Sequence, residues 1–260
     1  MNTFNSLPDE LVGPRLMRQD WTRLAFIHWA VDPALVAPLL PAGTRPDVLD
    51  GVTYVGLIPF EMRRAGFGRG PAVPFFGDFA ETNVRLYSVD DEGHHGIVFR
   101  SLETSRLLVA LGARVAFGTP YMWARMRIRQ EGDRIDYATR RRWPRPRGAG
   151  ARISVRIGEP IAEPSEVQQF VTARFGLHTR YLGRTLWIPN HHAPWPLRTA
   201  TIESLDDELV AAAGLPGISG RAPDSVMYAD TVRTEFGAPI VIRSGQVMKP
   251  SAGSHAALGA

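Results

Sequence analysis

Residues 101–129, SLETSRLLVALGARVAFGTPYMWARMRIR, place a helical patch, a Gly-Thr-Pro turn and a strand in immediate succession. Leu107, Leu108 and Leu111 recur at near-helical spacing, and Gly112 is the expected helix stop. Pro120 fixes the backbone ahead of Tyr121-Met122-Trp123-Ala124-Arg125-Met126-Arg127, which alternates with period two. An unbroken strand sends Tyr121, Trp123, Arg125 and Arg127 to one face and Met122, Ala124 and Met126 to the other. Two aromatics and two guanidiniums on one face suit an anionic or enolic small molecule. They suit an ordinary half-exposed strand as well.

The rest of the chain repeats this β-rich pattern. Residues 21–31 (WTRLAFIHWAV) read as a strand with Leu24, Phe26 and His28 opposite Ala25, Ile27 and Trp29. Asp32-Pro33 caps a short helix that ends by Pro41. Residues 53–62 form a second apolar strand, and the glycine-rich, phenylalanine-bearing residues 63–78 read as a long loop, a flap over a pocket or a plain surface loop. Its Gly66-Phe67-Gly68-Arg69-Gly70 opens no helix and meets Pro71 at once, so a phosphate loop is not expected. Hairpin turns are predicted at Asp90-Asp91-Glu92-Gly93 and Glu131-Gly132-Asp133. Strands are predicted at residues 151–157, 185–195, 197–202, 226–236 and 239–243, with a helix over 165–176. The sum is one β-dominated α+β domain over residues 1–260, with an arm at 1–20 and a mobile tail at 250–260.

Chemistry is bounded by what the chain lacks. Without cysteine there is no thiolate nucleophile, disulfide or cysteine-ligated metal. Lys249 is the only lysine, in the residues just before the tail, so imine chemistry has one remote candidate. No His-x-His or His-x-x-x-His spacing marks a metal site, and no cofactor is expected. Residues 140–147, RRRWPRPR, could grip phosphate and stack a base, but the run is short and broken by proline, so nucleic acid is not an expected partner. With no membrane-length apolar run and no leader pattern, a cytoplasmic, non-membrane protein is the default expectation; assembly into a homo-oligomer is left open.

Glu81, Asn83 and Arg85 share a strand face by their spacing. Glu81 and Arg85 could be a structural ion pair or pocket groups; in an apolar interior Glu81 rises in pKa unless Arg85 or Arg125 holds it ionised. His191 and His192 are adjacent and so face opposite ways, one of them toward a pocket with Trp195 and the other bonding a backbone carbonyl. His28 between Ile27 and Trp29 reads as a satisfied core histidine.

FIHWAVDP (26–33), LLPAGTRPDVLDG (39–51), YVGLIPFEM (54–62), ETNVRLY (81–87), ARVAFGTPYMWARM (113–126) and NHHAPWPL (190–197) occur in this order. Together they resemble the uncharacterised bacterial YqjF-type family of the acetoacetate decarboxylase-like superfamily, over about residues 21–243. The resemblance implies an antiparallel β cone or barrel around a small-molecule pocket, with a few helices outside. It also implies a Gly-x-Pro-Lys-Lys stretch whose lysine forms an imine. Here Gly118-Thr119-Pro120 keeps the first part, and Tyr121 and Met122 stand in the lysine places. Schiff-base acetoacetate decarboxylation is therefore rejected. The superfamily's Tyr-x-Glu run is similar to Phe79-Ala80-Glu81, making Glu81 the implied acid or base, and a first-strand arginine is matched by Arg23. Tyr121 could donate a proton to an enolate or simply plug the site. Two readings follow: an enzyme of proton transfer on a small carbonyl or carboxylate compound, with Glu81 and Tyr121 catalytic, or a non-catalytic ligand-binding module. Arg23, Asn83, Arg85, Trp123, Arg125, His191, His192 and Trp195 are the expected binding groups in either.

Overall fold

The computed structural model describes residues 7, 10–68, 70–74 and 77–242. Lys249, the tail and Arg243 lie outside them, as do parts of the expected arm and loop. The strands are β1 (Met17–Val31), β2 (Thr44–Pro46), β3 (Thr53–Phe67), β4 (Phe79–Asp90), β5 (His95–Thr104), β6 (Tyr121–Glu131) and β7 (Arg134–Trp143), followed by β8 (Gly150–Pro160), β9 (Gly176–Tyr181), β10 (Arg184–His192), β11 (Leu197–Asp207), β12 (Ser225–Phe236) and β13 (Ile240–Val241). Helices α1 (Pro33–Val36), α2 (Leu107–Phe117), α3 (Glu166–Thr172) and α4 (Leu209–Ala212) are short by comparison.

All strands join one sheet, ordered β13-β10-β9-β5-β6-β7-β8-β11-β12-β1-β3-β4-β2, with further pairings of β4 to β5 and β10 to β12. Those two pairings close the sheet on itself twice. One ring runs β5-β6-β7-β8-β11-β12-β1-β3-β4, the other β5-β9-β10-β12-β1-β3-β4, and the strands common to both form a shared wall. A wall with a core on each side buries both of its faces, which explains why residues 24–29 are buried without exception and apolar but for His28. Leu24 and Phe26 join Tyr54, Tyr87, Leu177 and Ile188 in one core; Ala25, Ile27 and Trp29 join Val84, Leu86, Tyr137 and Val155 in the other.

Local chemistry sets the connections. Asp32 caps α1 through the Ala34 N–H, and Ser165 with Gln168 forms a capping box on α3. Both predicted hairpins form, with Gly93 and Gly132 at positive φ. Three expectations need correction. Gly112 does not stop α2, which runs on to Gly118, a left-handed C-cap at φ 65°. Residues 63–67 belong to β3, and the excursion before β4 is knitted by backbone bonds between Ala65, Val73 and Gly77. The helix expected over 165–176 is shorter, because Gly176 opens a strand, β9, that the sequence reading did not separate. The β6–β7 ladder also carries a register shift, in which β7 skips Arg142 between Trp143 and Arg141 while β6 runs on without an extra residue. Along β6, Ala124 is buried while Arg125 and Arg127 are exposed.

Candidate functional site

Parallel pairing needs a crossover, and α2 supplies it between β5 and β6. Gly118, Thr119 and Pro120 then deliver Tyr121 beside Leu102 of β5. Glu81 lies across β5 from Thr104 and across β3 from Phe60, with 2% of its surface exposed. The Tyr121 hydroxyl donates to Glu81 Oε2 at 3.1 Å. Burial pushes Glu81 up to about 8, even though hydrogen bonds from Tyr121 and Asn83 pull it down. No arginine charge enters that balance. Tyr121 moves far above the usual tyrosine value, first through burial and then through Glu81, and so keeps its proton. The pair is a carboxyl that exchanges a proton near neutrality beside a phenol that only donates.

Farther along β4, Arg85 is buried but makes no ion pair with Glu81, which removes the structural-pair reading. Its Nε donates to the Tyr87 hydroxyl at 3.0 Å and its Nη2 to the Val171 carbonyl at 2.8 Å, over the Phe26 and Tyr87 rings. Among the described residues no carboxylate lies within ion-pair distance of it. His28 is fully buried against the Tyr87 hydroxyl at 2.6 Å, with Nδ1 unpartnered. Burial, Arg85 and Arg174 together hold His28 neutral. His192, also buried, faces the backbone carbonyls of Ala193 and Arg174 and packs on Trp195, whose indole N–H donates to Thr172. His191 is only half-buried. Thus His192 both bonds backbone carbonyls and packs on Trp195, contacts that the sequence reading divided between the two histidines.

The remaining expected groups fall elsewhere. Arg23, at φ 51°, pairs with Glu61, and Trp123 is half-buried beneath the Arg142 guanidinium. Arg125 lines an outer groove of ≈ 540 Å³ that neither Glu81 nor Tyr121 reaches. Two buried ion pairs were not singled out from the sequence: Glu103 with Arg141 at 2.5 Å, and Asp47 with Arg174, where His95 also bonds Asp47. Ser101-x-Glu103 alternation was the available signal for the first; the second joins residues too distant in sequence to be paired by spacing. Burial raises Glu103, while the Arg141 fork opposes the shift. No group of three His, Asp or Glu among the described residues is placed to hold a metal ion.

Residues 18–233 match the family described as uncharacterized conserved protein, DUF2071. The uncharacterized protein YqjF of Bacillus subtilis (strain 168) is 31% identical over 210 residues, covering 81% of this chain and 85% of that one. Among solved structures, acetoacetate decarboxylase from Legionella pneumophila is similar at TM-score 0.64 with 18% identity, covering 92% of this chain and 90% of that one. The enduracididine biosynthesis enzyme MppR, complexed with pyruvate, is similar at TM-score 0.60 with 12% identity, covering 88% and 91%. At these identities the structures establish the fold, an acetoacetate decarboxylase-like one. No described helix is long and apolar enough to cross a membrane.

Proposed function

We propose that this chain, which belongs to the DUF2071 family of uncharacterized conserved proteins, is an enzyme of proton transfer on a small carbonyl or carboxylate compound. The observation that carries the reading is the buried Tyr121–Glu81 hydrogen bond with Glu81 poised at about 8. Ionised Glu81 takes a proton from the carbon next to a carbonyl. The C–H electron pair moves into the carbonyl as an enolate, and the Tyr121 hydroxyl donates a hydrogen bond to the developing oxyanion. Arg85, a buried cation without a carboxylate partner, favours a substrate that carries an anionic group. Tyr121 and Met122 in the lysine places exclude an imine at that position. The solved neighbours named for acetoacetate decarboxylation and for pyruvate binding support small oxo acids as the first compounds to try.

The test is a thermal-shift screen of small keto and oxo acids, followed by proton exchange of each hit in deuterated water, read by NMR. Hits should exchange their α-protons with the wild type and lose at least about a hundredfold of that rate with Glu81→Gln. Stabilising ligands that never exchange would instead favour a binding module.

A further inference from the structure

The outer face of β6, β7 and β8 carries a cluster of arginines around a groove that includes neither Glu81 nor Tyr121. Arg125 of β6 stands directly opposite Arg140 of β7, and Gly150 of β8 continues that row; the adjacent row is Arg127, Ala138 and Arg152. All four arginines are exposed. Directly opposed side chains have Cβ atoms about 5 Å apart, and like charges so placed repel. Elsewhere on the same strands an arginine is matched by a carboxylate: Arg129 with Glu131 at 2.5 Å, and Arg156 with Asp133 at 2.8 Å. Among the described residues, Arg125, Arg127 and Arg140 have none, and Arg152 meets Asp206 only at 3.7 Å. The patch thus gathers three unpaired arginines on two neighbouring rows.

Shape agrees with charge. The four arginines rim the groove of ≈ 540 Å³, whose floor is Ala138, Gly148 and Gly150. Gly150 has a reason of its own, since a Cβ would meet the Thr139 carbonyl at 2.3 Å, and its bareness keeps the floor low. Asp206 and Glu208 close one side, so four cations face two anions there, a balance of 4 − 2 = +2. The rows are about 7 Å apart along the strands and the rim spans about 10 Å across them. That is room for two or three neighbouring phosphates, and guanidinium forks bind phosphate oxygens in pairs.

We propose that this groove binds a phosphorylated small molecule with two or more adjacent phosphates, held by Arg125, Arg127 and Arg140. A single-stranded nucleic acid fits less well. The nearby indoles each already carry a guanidinium, Trp123 that of Arg142 at 5.0 Å and Trp143 that of Arg114 at 5.3 Å, and neither lines the groove as a platform for a base.

The probe is inorganic pyrophosphate, titrated by calorimetry at constant ionic strength and followed in parallel by thermal melts. Wild type should bind and be stabilised. Arg125→Gln and Arg140→Gln should each weaken binding at least tenfold, while Arg184→Gln on β10 leaves it unchanged. Because each substitution relieves repulsion, the ligand-free melting temperature should stay level or rise. Equal binding by all four proteins, or no binding at millimolar pyrophosphate, overturns the proposal. So does a lower ligand-free melting temperature in both groove variants, which would make the arginines structural. Tighter binding of an oligothymidylate than of pyrophosphate would assign the patch to nucleic acid instead.

Discussion

Glu81 holds its proton more tightly in the folded protein than in the unfolded chain, and this has a sign. A carboxyl raised from the ordinary range to about 8 favours folding when neutral. Its contribution is complete below the unfolded value, declines as pH rises between about 4.5 and 8, and levels off above 8 as an ionised buried group. The span is on the order of 5 kcal/mol. Melting temperature from pH 5 to 9 should therefore fall more steeply in wild type than in Glu81→Gln, which cannot ionise; parallel curves would mean that Glu81 reaches water. Activity should move the other way. If Glu81 is the base, the rate climbs about tenfold per pH unit up to an inflexion near 8. Tyr121→Phe removes a hydrogen bond that lowers this pKa, so the inflexion should shift upward and the plateau rate drop by about a hundredfold. An unmoved inflexion in Tyr121→Phe would separate the phenol from the carboxyl.

At the scale of elements, what was legible in the sequence was alternation, and what was hidden was any event that breaks it. β1, β4 and both hairpins follow from period two and from turn residues such as Gly93 and Gly132. The extra residue in the β6–β7 ladder, Arg142 of β7, is neither proline nor glycine, so nothing in the sequence announces the register shift there. Strand β9 was hidden for a different reason: only Ala173, Arg174 and Phe175 separate it from α3, and Gly176 reads as a helix end. The same glycine shows how β9 is docked. The Trp187 ring lies over Gly176 and Gly96, so that an added Cβ would sit 2.2 Å and 2.4 Å from ring atoms. Beside them, Ile97 and Leu177 make the bridge by which β5 and β9 close the smaller ring. Gly176→Ala should displace the indole at a cost of about 1–3 kcal/mol, lowering the melting temperature by several degrees and changing tryptophan fluorescence. A melt within a degree of wild type would mean that the ring tolerates repacking there.

Across the whole molecule, the two rings share β12, β1, β3, β4 and β5, and each has its own buried charge pair. Arg141 forks onto Glu103 on the side of the wall facing β7, where Thr82 also meets Thr139 at 3.0 Å. Arg174 pairs with Asp47 on the other side, over the rings of Tyr87 and Phe170. Removing Arg141 strands Glu103 in the interior and should cost about 3–5 kcal/mol, while removing Arg174 leaves Asp47 only its His95 partner, so Arg174→Met should cost toward the lower end, about 3 kcal/mol. The two substitutions also test whether residues 17–241 are one cooperative unit. Were each ring an independent unit, each variant would weaken only its own ring and split the transition. A wall whose two faces belong to different cores leaves neither core able to open alone, because loss of β4 or β1 exposes apolar residues of both. The expected result is one transition in denaturant, coincident by far-ultraviolet circular dichroism and tryptophan fluorescence, shifted to lower midpoint by both variants without a plateau. Replacing the stranded partner as well, with Arg141→Met and Glu103→Leu together, should recover most of the loss if the pair is a matter of stability alone. Biphasic unfolding in either single variant would instead divide the chain into two units, with the shared wall assigned to whichever ring survives.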